Sequence, residues 1–382
     1  MPPPTPQRPN RTGEAGATDG LESSRAGKTV EAAETEERGN PPAPRAPEAA
    51  RSATSPGALL GSPDPSQTAE DTGGSVVPSE AAGSQADPDA RPRAPRPIGA
   101  LSGPRRRWRF FVARVVHVVN AVLARTPLGA FLRRRLWRAL EVRRTAIPLE
   151  GPRAGALGAG LDVAFLSDLH AGFYMTGPDL LELAERTRAL QPDVICLGGD
   201  LVEQQPRDPA ALEAFLRALR APLGVFAVLG NHEYYPRGEL ESWSRLLERC
   251  GVRLLCNAGA RVSTGSGSFW IAGVDDLTEG EPDLAAALSG RAPDEPALVL
   301  SHHPDLFVEA PAHDVDLQLS GHTHGGQVVL GDWEPLVHSH FGWTSGHAQS
   351  GTSHLYVGNG AGVTLAPIRI GAPPEIGLLR WG

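Results

Sequence analysis

The sequence predicts an α/β fold, with two packed sheets inside and helices outside. Three observations carry that expectation. Between residues 163 and 250, short apolar runs alternate with stretches of helical period, the signature of parallel βαβ units. From residue 253 onward the signals are almost all strand-like, which calls for a second sheet packed on the first. Five of the strand-like runs also end in short polar motifs, where open α/β sheets place their sites.

The elements follow in order. Val163-Ala164-Phe165-Leu166 is a buried strand. Pro178 to Leu190 carries Leu180, Leu181, Leu183, Ala184 and Leu190 at helical spacing. Val194-Ile195-Cys196-Leu197 is the next strand, and Pro209 to Leu219 a helix with Leu212, Phe215, Leu216 and Leu219 inward. Val225 to Leu229 is a third strand, and Glu239 to Cys250 a helix with Leu240, Trp243, Leu246 and Leu247 on one face. Short strands are expected at 253–255, 269–272, 297–300, 317–319, 327–330, 355–357 and 375–379.

The chain has 382 residues and a net charge of -8. Composition divides it into one large domain and a tail. Residues 1–103 are rich in Pro, Gly, Ser, Ala, Glu and Arg, with Leu59-Leu60 and Val76-Val77 as the largest apolar pairs. Such a stretch cannot bury enough surface to offset its ordering entropy, so a disordered tail is expected. Pro and Arg follow Met1 without an apolar run, so no signal peptide is expected. No run reaches the roughly 18 apolar residues of a transmembrane helix. Cys196, Cys250 and Cys256 are the only cysteines, an odd and sparse count that fits a reducing compartment.

Residues 104–144 form a basic amphipathic segment. Trp108, Phe110, Phe111, Val112, Val115, Val116, Val118, Val119, Val122 and Leu123 leave a narrow polar stripe at Arg114, His117, Asn120 and Arg125. Thr126-Pro127 breaks this helix. A second helix then sets Leu128, Phe131, Leu132, Leu136 and Leu140 on one face, with Arg133, Arg134, Arg135 and Arg138 around it. Apolar faces flanked by Arg and edged by Trp108 and Trp137 suit an interfacial membrane anchor. The alternative is that both helices dock on the domain at 145–382. Arg105-Arg106-Arg107 is too deep in the chain, and too interrupted afterwards, for a twin-arginine export signal. The wide apolar face argues against nucleic acid as the partner.

The five polar motifs are Asp168-Leu169-His170, Gly199-Asp200, Gly230-Asn231-His232-Glu233, Ser301-His302-His303-Pro304 and Gly321-His322-Thr323-His324. Asp, His and Asn are ligands for borderline divalent metals. Their number exceeds what one ion takes, so the pattern points to two adjacent metals and metal-assisted hydrolysis. A lone D-x-H or G-D would be an ordinary strand-end turn.

All five in this order resemble the calcineurin-like metallophosphoesterase superfamily. Phe165 to His170 and Gly321 to Gln327 resemble its bacterial branch of membrane-associated phosphodiesterases and phosphohydrolases. The resemblance covers roughly residues 143–382. It implies a four-layer α/β/β/α sandwich of two mixed sheets with flanking helices. It also implies Asp168, His170 and His324 on a first metal, Asn231, His302 and His322 on a second, and Asp200 bridging. Asp200 suits a bridge, because Gly198-Gly199 let the backbone approach closely and its carboxylate has two oxygens to share. His302 is taken over His303 from the H-x-P pattern, which leaves His303 pointing away, either at the surface or in support of the ligands. In His322-Thr323-His324, alternate residues of an extended segment would point the same way. His232 matches the family's histidine near the leaving-group oxygen, as general acid or phosphate-orienting group. Glu233 either orients His232 or caps a helix. Asp275 and Asp276 are either supports of the site or a strand-end turn. His338, His340, His347 and His354 either line the substrate mouth or belong to a polar surface loop, the loop being the preferred reading.

The function expected is hydrolysis of a phosphodiester or pyrophosphate by metal-activated hydroxide, with manganese, iron or zinc as the two ions. The substrate is expected at a membrane surface, as a lipid or nucleotide-sugar lipid, with the protein peripheral on the inner, cytoplasmic face. Two other readings remain: a phosphodiesterase of soluble nucleotides, and a non-catalytic scaffold that keeps the fold.

Overall fold

The computed structural model describes residues 104–382 apart from 204–207, 235–239, 332 and 336–337, with side chains from Arg114 onward. The tail expected at 1–103 lies outside the described residues.

Helices α1 (Pro104–Leu123) and α2 (Pro127–Arg138) come first. The break between them is chemical. The Thr126 hydroxyl accepts from the Gly129 amide, and Pro127 stands at the start of α2, where an amide would be unpaired anyway. The pair bends by 95°, and no single described helix is long and apolar enough to cross a membrane.

Strand β1 (Glu141–Ile147) follows, crossing the boundary expected between 144 and 145. Then come β2 (Leu161–Leu166), α3 (Gly177–Ala189), β3 (Val194–Leu197), α4 (Pro209–Ala218), β4 (Val225–Ala227), α5 (Leu240–Arg249) and β5 (Arg253–Leu254). The remainder holds β6 (Ala258–Ser263), β7 (Ser268–Gly273), α6 (Leu284–Ala287), β8 (Ala297–Leu300), β9 (Leu317–Ser320), β10 (Gly346–Ser350), β11 (Ser353–Val357) and β12 (Glu375–Trp381).

Two six-stranded sheets result, in the orders β1-β12-β2-β3-β4-β5 and β10-β11-β9-β8-β7-β6. Strands β2 to β5 run parallel, as do β7, β8, β9 and β11, whereas β12 lies antiparallel to β2 and parallel to β1. Both sheets are mixed. Alternation along β2 shows how the layers form. Val163 and Phe165 face the other sheet, among Ile271, Leu298, Leu319, Tyr356 and Trp381. Ala164 and Leu166 face out, toward Leu183 of α3, Phe215 of α4 and Leu247 of α5. Each fully buried side chain of this kind contributes about 1.5–3 kcal/mol. The outer face of the second sheet is covered by α6 and the turn at Pro304–Val308, through Leu284 and Phe307. The architecture is the α/β fold of two mixed sheets with flanking helices that the sequence predicts.

One expected strand is absent. Residues 327–330 make only isolated bridges, Val328 to Ile370 and Leu330 to Trp333. Gly325, Gly326 and Gln327 all take positive φ just before, and that turn carries the chain out of the sheet. In the other direction, β10 and β11 form a hairpin that includes His347 and His354, two residues read from sequence as part of a loop.

Candidate metal centre

The loops after β2, β3, β4, β8 and β9 meet at one end of the sheets. They are laced together by backbone. The amide of Asp168 donates to Gly199, that of His170 to Asp200, and that of Gly321 to His302. Asp168, His170, Asp200, His322 and His324 all take left-handed backbone conformations, with φ of 50°, 45°, 52°, 71° and 54°. Non-glycine residues avoid that region at some cost, and such strain gathers at functional sites. The packing is correspondingly close. A Cβ on Gly199 would lie 2.5 Å from the Gly230 nitrogen, and one on Gly321 would lie 2.3 Å from Asp168 Oδ2.

The side chains converge. Asp200 Oδ2 lies 3.6 Å from His170 Nε2 and 3.3 Å from His302 Nε2. His170 Nε2 lies 3.0 Å from His324 Nε2, which is 3.6 Å from Asp168 Oδ1. His302 Nε2 lies 3.2 Å from His322 Nδ1. The donor atoms of Asp168, His170 and His324 fall within 4.8 Å of one another, as do those of Asp168, Asp200 and His302. Asn231 stands between Gly230, which abuts Asp200 and His302, and His232, whose amide donates to Asp200 Oδ1. The Asn231 Oδ1 is buried with no hydrogen-bond partner among the described residues. An orphaned amide oxygen beside carboxylates and imidazoles is what a cation site requires of the chain, so the donor set fits divalent metals.

The electrostatics agree. Burial opposes the charge of Asp200, but His302, His232 and His170 overcome it and hold its carboxyl well below the usual range. Burial, with neighbouring histidines, holds His322 and His324 well below the usual imidazole value, neutral and with lone pairs to give. His170 goes the other way. Burial would lower it, but Glu203 raises it to about 9. Burial also pushes Asp168 up.

The structure thus brings Asp168, His170, Asp200, His302, His322 and His324 together, with Asn231 and His232 beside them. The local geometry departs from expectation at the fifth motif. Residues 322–324 are not extended. Thr323 is helical between two left-handed histidines, and the turn splits them, His322 toward His302 and His324 toward His170. Of the two places expected for His303, the structure gives the supporting one. His303 is buried, its ring lies 3.7 Å from that of His322, and its Nε2 is 3.2 Å from Asp276 Oδ2. Asp276 is fully buried and held by Thr278 and the amide of Glu279, so it supports the site from behind.

Glu233 works on backbone amides, and that of Gly230 just before the short helical turn Asn231–Tyr234 is one of them, the capping alternative of the two expected. Its carboxylate accepts the amides of Asp200, Leu201 and Gly230 at 2.8–2.9 Å and that of Val202 at 3.3 Å, clamping the loops after β3 and β4. Burial and the Asp200 charge push its pKa to about 8 against those amides.

Two further residues were not singled out from sequence. Glu203 places its carboxylate 3.0 Å from His170 Nδ1, and its backbone carbonyl takes the Nδ1–H of His232. Its only sequence signal is an acid three residues after Asp200. Arg369 donates to the carbonyls of Gly362, Ala372 and His324 and contacts His324 Nδ1 at 3.1 Å. It is the single Arg or Lys between Gly321 and Leu379, a signal that an apolar, Pro- and Gly-rich stretch makes visible.

A strand-end cluster of Asp, His and Asn on a two-sheet α/β scaffold defines a metal-dependent phosphoesterase class. Residues 161–326 match the sequence model of the calcineurin-like phosphoesterases. The chain is 34% identical over 222 residues to the uncharacterized metallophosphoesterase YkuE of Bacillus subtilis, covering 57% of this chain and 77% of that protein. It is 30% identical over 227 residues to the uncharacterized metallophosphoesterase YkoQ of the same organism, covering 56% and 82%. It is 34% identical over 232 residues to a bovine transmembrane protein with metallophosphoesterase domain, covering 56% of this chain and only 52% of that one. The chain belongs to the calcineurin-like phosphoesterase family.

Proposed function

We propose that this chain hydrolyses a phosphodiester or pyrophosphate bond with two divalent ions, manganese, iron or zinc, on a lipid or nucleotide-sugar lipid at a membrane surface. The observation that carries the two-ion reading is that one oxygen, Asp200 Oδ2, lies within reach of both His170 Nε2 at 3.6 Å and His302 Nε2 at 3.3 Å. One carboxylate facing two separate sets of ligands suits a shared bridge. Asp168, His170 and His324 form the first set and Asn231, His302 and His322 the second. Divalent ions in such a site supply an activated water and neutralise charge that develops on the phosphoryl oxygens.

The chain's own groups do the rest. Asp200 stays ionised and holds the two ligand sets in register. Glu233 and Glu203 fix the loops that carry it. His232 gives its Nδ1–H to the Glu203 carbonyl, which fixes the ring and leaves Nε2 to orient the phosphate or pass a proton to the leaving oxygen. No serine or cysteine nucleophile enters, so hydrolysis is direct. The membrane part of the reading rests on the arginine-rich helices α1 and α2, and the sparse, unpaired cysteines support an inner, cytoplasmic face.

The test is turnover of bis-(p-nitrophenyl) phosphate by the full chain, metal-free and then loaded with manganese, iron or zinc. Metal-dependent turnover that disappears in Asp200→Asn and drops in His232→Ala supports the reading. Two tightly bound ions without turnover on any phosphate ester would favour a scaffold instead.

A further inference from the structure

Helix α1 sits on the domain the wrong way round for a surface helix in water. The middle of its polar stripe, His117 and Asn120, faces inward. Asn120 donates to the Leu365 carbonyl and lies 3.3 Å from the Tyr174 hydroxyl, and the His117 ring meets Phe173 at 5.0 Å. Its valines face outward. Val115, Val118, Val119 and Val122 are 45%, 55%, 56% and 61% exposed, and α2 continues the patch with exposed Leu128 and Phe131. A water-facing helix shows the opposite pattern.

The loops that anchor α1 also carry the metal centre. Phe173 and Tyr174 follow His170 by a few residues. Leu365 belongs to the segment 362–370, whose other side is tied to the fifth motif. There Gln327 binds the carbonyl and amide of Thr364, Arg369 binds His324, and Ile370 pairs with Val328. That segment presents Leu365, Ile368 and Ile370 to solvent, and the neighbouring turn presents Leu330 and Trp333. Helix α1 is therefore anchored, through Asn120 and Leu365, beside an exposed apolar rim whose segment is tied to the ligand loops.

Charge decides what covers it. Residues 105–140 and 360–374 contain no Asp or Glu. Arg114, Arg125, Arg134, Arg135 and Arg138 stand exposed at the edges of the valine face and along α2. A second copy of the chain packed here would set these arginines against their own kind. An anionic bilayer answers both features, with acyl chains for the valines and headgroups for the arginines.

We infer that the outward face of α1, with Leu128 and Phe131 of α2 and the 364–370 rim, is a docking collar that inserts into an anionic lipid surface and turns the mouth of the metal centre toward its headgroups. The docking stands on this geometry alone. The consequence for substrate, a phosphate ester carried on a bilayer-borne chain, rests on the function proposed above.

The experiment uses the manganese-loaded full chain with phosphatidylcholine vesicles, with and without phosphatidylglycerol. Co-sedimentation is measured for the parent and for the double variant Val118→Asp, Val122→Asp. Two substrates are followed: soluble bis-(p-nitrophenyl) phosphate and hexadecyl p-nitrophenyl phosphate embedded in the vesicles. The parent should pellet with the phosphatidylglycerol vesicles, and the variant's partition should fall about tenfold or more. Turnover of the soluble ester should be equal in both, which also shows that the variant folds, while turnover of the embedded ester falls with the partition. Absence of parent binding, or equal partition of parent and variant, overturns the docking. So does a parent dimer that the double variant dissolves without vesicles. Vesicle binding without turnover of either ester would leave the docking standing and overturn the function.

Discussion

The metal centre and the outer face of α1 are opposite violations of the same rule. The first buries Asp168, Asp200, His170, His302 and His324 where a core would hold apolar groups. The second exposes Val118, Val119 and Val122 where a surface would hold polar ones. Helix α3, between the first and second metal-site motifs in sequence, obeys the rule, with Leu180, Leu183 and Ala184 buried and Glu185, Arg186 and Arg188 exposed. Local rules broken without compensation inside the molecule point to something outside it. A cation completes one region and, on the inference above, a lipid surface completes the other.

The sharpest way to break the first half of that comparison is Asp200→Asn. The amide keeps the shape but loses the charge that His170 and His302 face. Turnover should fall to the metal-free level, and titration calorimetry should lose one of two binding steps. Two intact steps would mean Asp200 is not shared. Next in size, His232→Ala should cost about 10²–10⁴ in kcat while metal content stays at the parent level. Elemental analysis of the same samples separates that outcome from loss of metal.

Glu203→Gln is smaller and sharpens the contrast between ligands and the groups that aim them. A carboxylate behind a ligating histidine is typically worth about 10–100-fold in metal affinity. The variant should lose that much and regain turnover at high metal concentration, which a lost ligand would not. Its pH dependence carries a sign. In the parent, Glu203 raises His170 to about 9. Below that pH a proton competes with metal for His170, so apparent affinity rises with pH toward 9, by up to about 1.4 kcal/mol per unit. Without the Glu203 charge the rise should end at lower pH. An unchanged profile would mean that Glu203 does not act through His170.

Much of this was legible in the sequence, and the parts that were not share a cause. Strand-end motifs name ligands because burial of a short apolar run fixes where the next polar residue emerges. Thus the motifs offer their Asp and His side chains as candidate ligands, and the family resemblance chooses Asp168, His170, Asp200, His302, His322 and His324 among them. Turn geometry is not written that way. The left-handed histidines at 322 and 324 stand beside Gly325 and Gly326, and the His324 carbonyl is held by Arg369, 45 residues further along the chain. Glu233 and Glu203 act through backbone amides and a single contact, for which an acid in a loop gives no distinctive pattern. The strand β1 was hidden in the arginine-rich segment because its partner, β12, lies at the other end of the chain. In α1 the amphipathic period was plain, yet period alone says that two faces differ and not which one turns inward.

That last point yields the smallest predicted effect and the most direct test of the comparison. Leu183 of α3 is fully buried among helices and sheet, so Leu183→Ala should cost about 2–5 kcal/mol in urea denaturation. Val118 of α1 is a similar aliphatic residue in a similar helix, but 55% of it meets solvent. Val118→Ala leaves no cavity behind, and valine is slightly the poorer helix former, so stability should change by no more than about 0.5 kcal/mol. An effect of 2 kcal/mol or more at Val118 would mean that the valine face packs within the folded chain, and the two helices would then follow one rule after all. Near-neutrality at Val118, alongside a full cost at Leu183, leaves the valines with no role in folding and makes their exposure a question of what they meet outside it.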